Sequence, residues 1–441
     1  MLKLAAVVVY GLVAITIAGP IEVVCDEFGF GQCEEMRSLV EAVESKASEI
    51  FSHDFSDDED GALIELHLQL QDYYNADERL NSGRFRKNWS FANSSEMQAH
   101  IALQPPVPTE LLEAAGIPVQ TKLMIGQCAT HLLRYRAFPN HRSHPKWFTQ
   151  GMAVYVTQEA ARSIGMLGSS EDEPYTSTHI VNVLETLEEH TKIGIETILN
   201  EEDIKDVSTG REYAMRGLMM FWLEDLGVLQ DVINEARRLG GGDQYEKNLN
   251  KAVVKAIAEA GVEDGDSAFR DWLGGFSPKW HEQYRSLQTS GEVWMQGAFS
   301  RNNSVAWNSQ ELGERDWEMT GSFQIFDSEK TQMNILLGKS DAGYISIALG
   351  PEFGVTVFYR KYSDDGKKSS WIRLIHKDIK SIELNEWSDF KVSKRRDRML
   401  IRINKDRAIR VELGDYEVSG PWGLGVQNKS AGLWRDVEVD R

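Results

Sequence analysis

The chain has 441 residues, 41% of them hydrophobic and 26% charged, an ordinary globular composition too long for one compact core. Acidic residues outnumber basic ones 68 to 48, for a net charge of −20, which argues against a nucleic-acid partner, since that needs clustered Lys and Arg.

The first elements are a short positive start at Lys3 and an almost wholly apolar run from Leu4 to Ile17. Thr16 and Ala18 are small residues at the −3 and −1 positions of a cleavage site, so residues 1–18 read as a secretory signal peptide. The expectation is a secreted, periplasmic or cell-envelope protein with no membrane span after cleavage. Cys25 and Cys33 lie close enough in sequence to close a small loop in such an oxidising space, leaving Cys128 as the odd thiol.

Met36, Leu39, Val40, Val43, Ala47, Ile50 and Phe51 follow helical spacing, and an acidic break at 52–61 ends that helix. Ala62 to Tyr74 is expected to be helical again, followed by short strands up to the Pro105–Pro106 pair. Further helices are expected at Thr121–Tyr135, Met152–Ile164, Thr178–Glu189, Tyr213–Leu226, Tyr245–Ala260 and Asp266–Leu273. A last one is expected over "SPKWHEQYRSLQ", behind a Ser277 cap. After about residue 290 short alternating runs bounded by Gly, Asn or Asp take over, the pattern of an all-β sandwich.

The chemistry-bearing stretch is "MIGQCATHLLRYRAFPNHRSHPKWFTQGMAVYV", 124–156. His131 has Gln127 four residues before it and Cys128 three before it; Gln150 follows after eighteen intervening residues, inside "PKWFTQGMAVY". This resembles the thermolysin-like gluzincin (peptidase MA) family over about residues 35–288. The family writes its site as HExxH, then Pro-x-Trp-aliphatic-x-Glu-Gly-x-Ala-x-Tyr. Pro145, Trp147, Gly151, Ala153 and Tyr155 match, and Tyr213 in "REYAMRGLMMFWLED" is similar to the Tyr that often opens the family's later helix. The resemblance implies an α+β zincin-like, mostly helical domain over 19–290. On that frame His131 matches a zinc ligand, Gln127 stands in place of the other His, Gln150 in place of the ligand Glu, and Cys128 in place of the general base. Neutral amides are poor zinc donors, so peptide cleavage by this site is not expected and no cofactor is expected. The alternatives are a zinc site rebuilt from Cys128, His131 and His144, or a Cys128/His131 thiol hydrolase, which lacks the orienting third group.

Residues 291–441 resemble the concanavalin-like jelly rolls of laminin-G and of the family named for 3-keto-disaccharide hydrolases. The resemblance is carried by "WEMTGSFQIF", by "WSDFKVSKRRDRMLIRINKDRAIRVEL" with Asn404-Lys405-Asp406 at a hairpin turn, and by "GPWGLGVQNKSAGLWRDVEVD". Such folds bind sugars, bind proteins or space domains. Trp307, Trp371 and Trp422 are the candidates for stacking on sugar rings, with core packing as their alternative role. The expected architecture is thus two domains, the expected partner an extracellular carbohydrate or a protein or peptide, and the expected function non-catalytic binding. A carbohydrate-active sandwich remains the other enzymatic alternative.

Overall fold

The computed structural model describes residues 21–25, 28–57, 61–85, 90–103, 112, 116–117, 119–166, 183–184, 186–187, 193–200, 209–276, 280–283, 287–290, 293–297, 304–326, 330–363, 368–427 and 431–441. The proposed signal peptide, and most of the helix expected at Thr178–Glu189, lie outside the described residues.

The helical half is built on a four-stranded sheet of β1 (Ile21–Val24), β2 (Ala62–His67), β3 (Ser90–Asn93) and β4 (Gln98–Ala102), in the order β1-β2-β4-β3. β1, β2 and β4 run parallel, and β3 is an antiparallel edge. Alternation along the strands divides the sheet's faces. Ile64, Leu66, Ala99 and Ile101 join the core with α1 (Phe30–Phe51), which lies behind a Cys25–Cys33 disulfide, and with α3 (Val119–Ala137). Phe91 and Ala102 on the other face pack against Tyr73 and Ala76 of α2 (Leu70–Asn81).

The segment Ala62–Tyr74 is therefore a strand followed by the start of a helix, and not a single helix. Its residues suit either period over so short a run, and parallel pairing on both sides decides for the strand.

After α3 come α4 (Lys146–Ser163), α5 (Ile195–Asn200), α6 (Thr209–Asp225), α7 (Leu229–Arg238), α8 (Tyr245–Glu259) and α9 (Gly265–Gly274). Pro145, which has no N–H to leave unsatisfied, caps α4 and accepts from Thr149 N at 3.0 Å. α4 and α6 cross closely. A Cβ on Gly151 would stand 2.8 Å from the Arg216 carbonyl oxygen and 2.7 Å from Met220 Cε, and one on Gly217 would stand 2.4 Å from Val154 Cγ1.

The C-terminal half is an all-β sandwich of two antiparallel seven-stranded sheets, jelly-roll-like in its layering. Its strands are β5 (Trp280–Gln283), β6 (Leu287–Ser290), β7 (Val293–Gly297), β8 (Ser304–Glu311), β9 (Trp317–Ile325), β10 (Gln332–Ser340), β11 (Gly343–Gly350), β12 (Gly354–Tyr362), β13 (Ser369–Lys377), β14 (Trp387–Arg395), β15 (Arg398–Ile403), β16 (Ile409–Glu412), β17 (Pro421–Gln427) and β18 (Ala431–Asp440). One sheet runs β13-β12-β11-β10-β17-β8-β5, the other β16-β15-β14-β9-β18-β7-β6.

The run "SPKWHEQYRSLQ" thus supplies two edge strands rather than a helix. β5 pairs with β8 and β6 with β7, so tertiary pairing overrides a helical propensity. Inward residues such as Ile335, Leu337, Ile345, Ile347, Val355, Phe390, Leu424 and Trp434 fill the space between the sheets.

Candidate functional site

The peptidase-like positions sit where α3, α4 and α6 meet. Trp147 is fully buried, with Nε1 donating to Asn250 Oδ1 at 2.8 Å, Ala153 is fully buried, and the Tyr155 ring meets Phe221 edge-on at 4.7 Å. Together with Pro145 and Gly151, the matching frame residues all do packing work.

Among the reactive positions Cys128 is buried, while His131, Gln150 and Tyr213 are part-buried. Cys128 is 4% exposed, and burial pushes its thiol up to about 12, against a smaller opposing effect of its hydrogen bond with Ser90. His131 is held down to about 3, by burial first and by the nearby Arg134 guanidinium second, and its Nδ1 is buried without a partner. A neutral thiol beside a neutral imidazole is not the thiolate–imidazolium pair of a cysteine nucleophile.

Gln150 Oε1 accepts a hydrogen bond from Nη1 of Arg216, a buried side chain that also pairs with Glu212 Oε2 at 3.4 Å. Tyr213 is pushed up to about 12, chiefly by burial; Cys128 raises it further, while Arg216 and a hydrogen bond with Gln150 act the other way. Tyr213, Cys128, Gln150 and Arg216 are therefore neighbours in space.

His144 has been drawn into different company. Its Nδ1 accepts from Arg134 Nη1 at 2.9 Å, and its ring lies among Tyr245, Phe138 and Phe148. Cys128, His131 and His144 do not form a metal-competent cluster; among the described residues that geometry occurs at Glu65, His67 and His100. A helix over Ala62–Tyr74 would hide this cluster by separating Glu65 from His67; the strand alternation of "ELH" is the signal that carries it.

A second candidate site lies on the outer face of the β13–β5 sheet. Trp371 is 47% exposed there, with Arg360 Cζ 5.3 Å from its ring centroid and Phe358 edge-on at 5.9 Å. Arg360 is itself held by Tyr344, accepting at 2.9 Å, and lies over the Tyr344 and Tyr362 rings. Gln332, Ser346, Phe358, Trp371 and Gln427 line a shallow cavity of about 230 Å³. Its floor is ordered by Asn334, whose Oδ1 accepts from Gln332 Nε2 at 2.7 Å and from Ser346 Oγ at 3.4 Å.

Of the three tryptophans singled out from sequence, Trp371 reaches this cavity. Trp307 lies on the same sheet face but is mostly covered, edge-on to Tyr344 and under Lys339. Trp422 is buried in the core between the sheets, where no ligand ring can reach it.

No protein-family model matches the chain, and no curated protein matches it. Among solved structures, the chain is similar to the carbohydrate-binding module CBM66 from Bacillus subtilis, at 15% identity over 37% of this chain and 96% of that one, TM-score 0.30. It is similar to a putative glycosyl hydrolase from Parabacteroides distasonis at 9% identity over 37% and 93%, TM-score 0.27. It is also similar to the VIP36 exoplasmic/lumenal domain in its Ca2+/Man3GlcNAc-bound form at 14% identity over 37% and 86%, TM-score 0.28.

Proposed function

We propose that the protein is a secreted, non-catalytic binding protein, in which a gluzincin-type frame has become packing and the sandwich binds carbohydrate on its Trp371 face. The observation that carries the binding half is the cavity itself. Two aromatic side chains, Trp371 and Phe358, meet two carboxamides and a hydroxyl, Gln332, Gln427 and Ser346. A sugar presents the matching chemistry, apolar C–H faces for an aromatic plane and hydroxyls for amides that both donate and accept. None of the five is a carboxylic acid, so the cavity lining lacks the paired acid and base of a glycosidase.

The non-catalytic half is supported by charge. A zinc ion in the frame would share it with two buried guanidiniums, Arg134 beside His131 and Arg216 on Gln150. Like charges brought together away from water repel strongly; Glu212 pairs with Arg216, but neither Gln127 nor Gln150 offers an anionic donor for an added zinc ion. The thiol alternative needs Cys128 ionised, and burial opposes that.

The reading is tested by titrating the full chain with neutral oligosaccharides of differing linkage while following tryptophan fluorescence, with Trp371→Ala as the control. Saturable binding lost in the variant supports it. Peptide or glycan cleavage by the wild-type chain sinks the non-catalytic part. On the helical side, no helix among the described residues is long and apolar enough to cross a membrane.

A further inference from the structure

We propose that Glu65, His67 and His100 form a binding site for a divalent transition-metal ion, zinc being the best fit, on the α2 face of the N-terminal sheet. β2 is an interior strand, and its alternation sends Glu65 and His67 to one face. The parallel register places His100 of β4 opposite Glu65. Backbone pairing on both sides of β2 and β4 therefore fixes all three side chains before any ion arrives, the preorganisation that a metal site requires.

The distances suit an ion. His67 Nε2 and His100 Nδ1 are 3.0 Å apart, and His100 Nδ1 is 3.3 Å from Glu65 Oε2. All three donor atoms lie within 4.8 Å of one another. Two nitrogens each bonded to zinc at ~2.0–2.1 Å stand roughly 3.0–3.4 Å apart, so little movement is needed for coordination.

The donor set also fits the chemistry. Two imidazoles and one carboxylate make a three-ligand zinc site with a further position for water. His100 is completely buried, and a neutral imidazole carries the lone pair that a metal takes. Glu65 is about one-third exposed, which opens a route for the ion and for water, and its carboxylate supplies the site's one anionic donor.

Tyr73 and Phe91 wall the site, with ring centroids 6.3 Å from His67 and 5.1 Å from His100. A hydrogen bond between the two rings uses one proton and leaves the Glu65 carboxylate facing the pair. An ion satisfies all three lone pairs at once. The site's three ligands belong to β2 and β4, whereas Cys128 and His131 of the stretch singled out from sequence belong to α3.

The test uses the full chain, free of affinity tags and stripped by chelator, titrated with Co2+ and then Zn2+. The expected result is one Co2+ per chain with visible d–d bands, no thiolate charge-transfer band, and displacement by Zn2+ with a rise in melting temperature. Glu65→Gln, on the exposed edge of the site and confirmed folded by circular dichroism, is expected to weaken binding at least about tenfold. Cys128→Ser is expected to leave it unchanged. Absence of stoichiometric binding, binding unchanged in folded Glu65→Gln, or binding lost in Cys128→Ser would each overturn the proposal.

Discussion

Nη1 of Arg216 donates to Oε1 of Gln150, joining α4 to α6 through a buried guanidinium. Removing that cation leaves Gln150 and the Glu212 carboxylate without their partner. Arg216→Met is expected to cost roughly 2–4 kcal/mol of stability. A chemical-denaturation midpoint within error of wild type would contradict this.

The frame residues serve helix packing, and Gly151 is the sharpest case. A methyl group there meets the Arg216 carbonyl oxygen, which is backbone and cannot swing aside. Gly151→Ala should lower stability by about 1–3 kcal/mol through overpacking. Oligosaccharide binding by the sandwich should be unaffected, and a change in binding with no change in stability would point to a ligand role for this helix crossing instead.

Acid should unfold the protein through its buried histidines. His131 and His144 are held neutral down to about 3 and about 2, against an unfolded value near 6.5. Their folded values are depressed, so below 6.5 the unfolded chain takes up protons that the folded chain refuses. The stability they contribute is complete above pH 6.5 and lost as pH falls toward 3. His131→Leu should flatten the melting-temperature profile between pH 6.5 and 3, and an unchanged slope would count against the burial argument.

At the alkaline end the sign reverses, although burial is again the cause. Cys128 titrates near 9 when free and about 12 when folded, so its contribution is present below pH 9 and declines between pH 9 and 12. In the native protein at pH 8 the thiol should resist an aromatic disulfide reagent and react only on unfolding. Rapid native labelling would show the site open and revive the thiol reading.

Much of this organisation is legible in the sequence. The strands after 316 follow their alternation, and Asn404 takes a left-handed turn conformation at the hairpin, with Oδ1 accepting from Asp389 N. No local pattern in the stretch from Gln127 to Gln150 reveals that Arg134 acts on His131 or that Arg216 bonds Gln150. Ala62–His67 and Trp280–Gln283 mislead because such short runs are set by the strands they pair with. The Trp371 cavity draws on five strands, β10 to β13 and β17, which only the sheet order brings together.

Carbohydrate binding on the Trp371 face is the central claim. The deciding measurement is isothermal titration of the full chain with neutral oligosaccharides, alongside Trp371→Ala and Gln427→Ala. It predicts saturable binding to at least one glycan, lost with Trp371→Ala and weakened with Gln427→Ala, while both variants melt like wild type. Binding to no glycan, or glycan binding that survives Trp371→Ala unchanged, would contradict it.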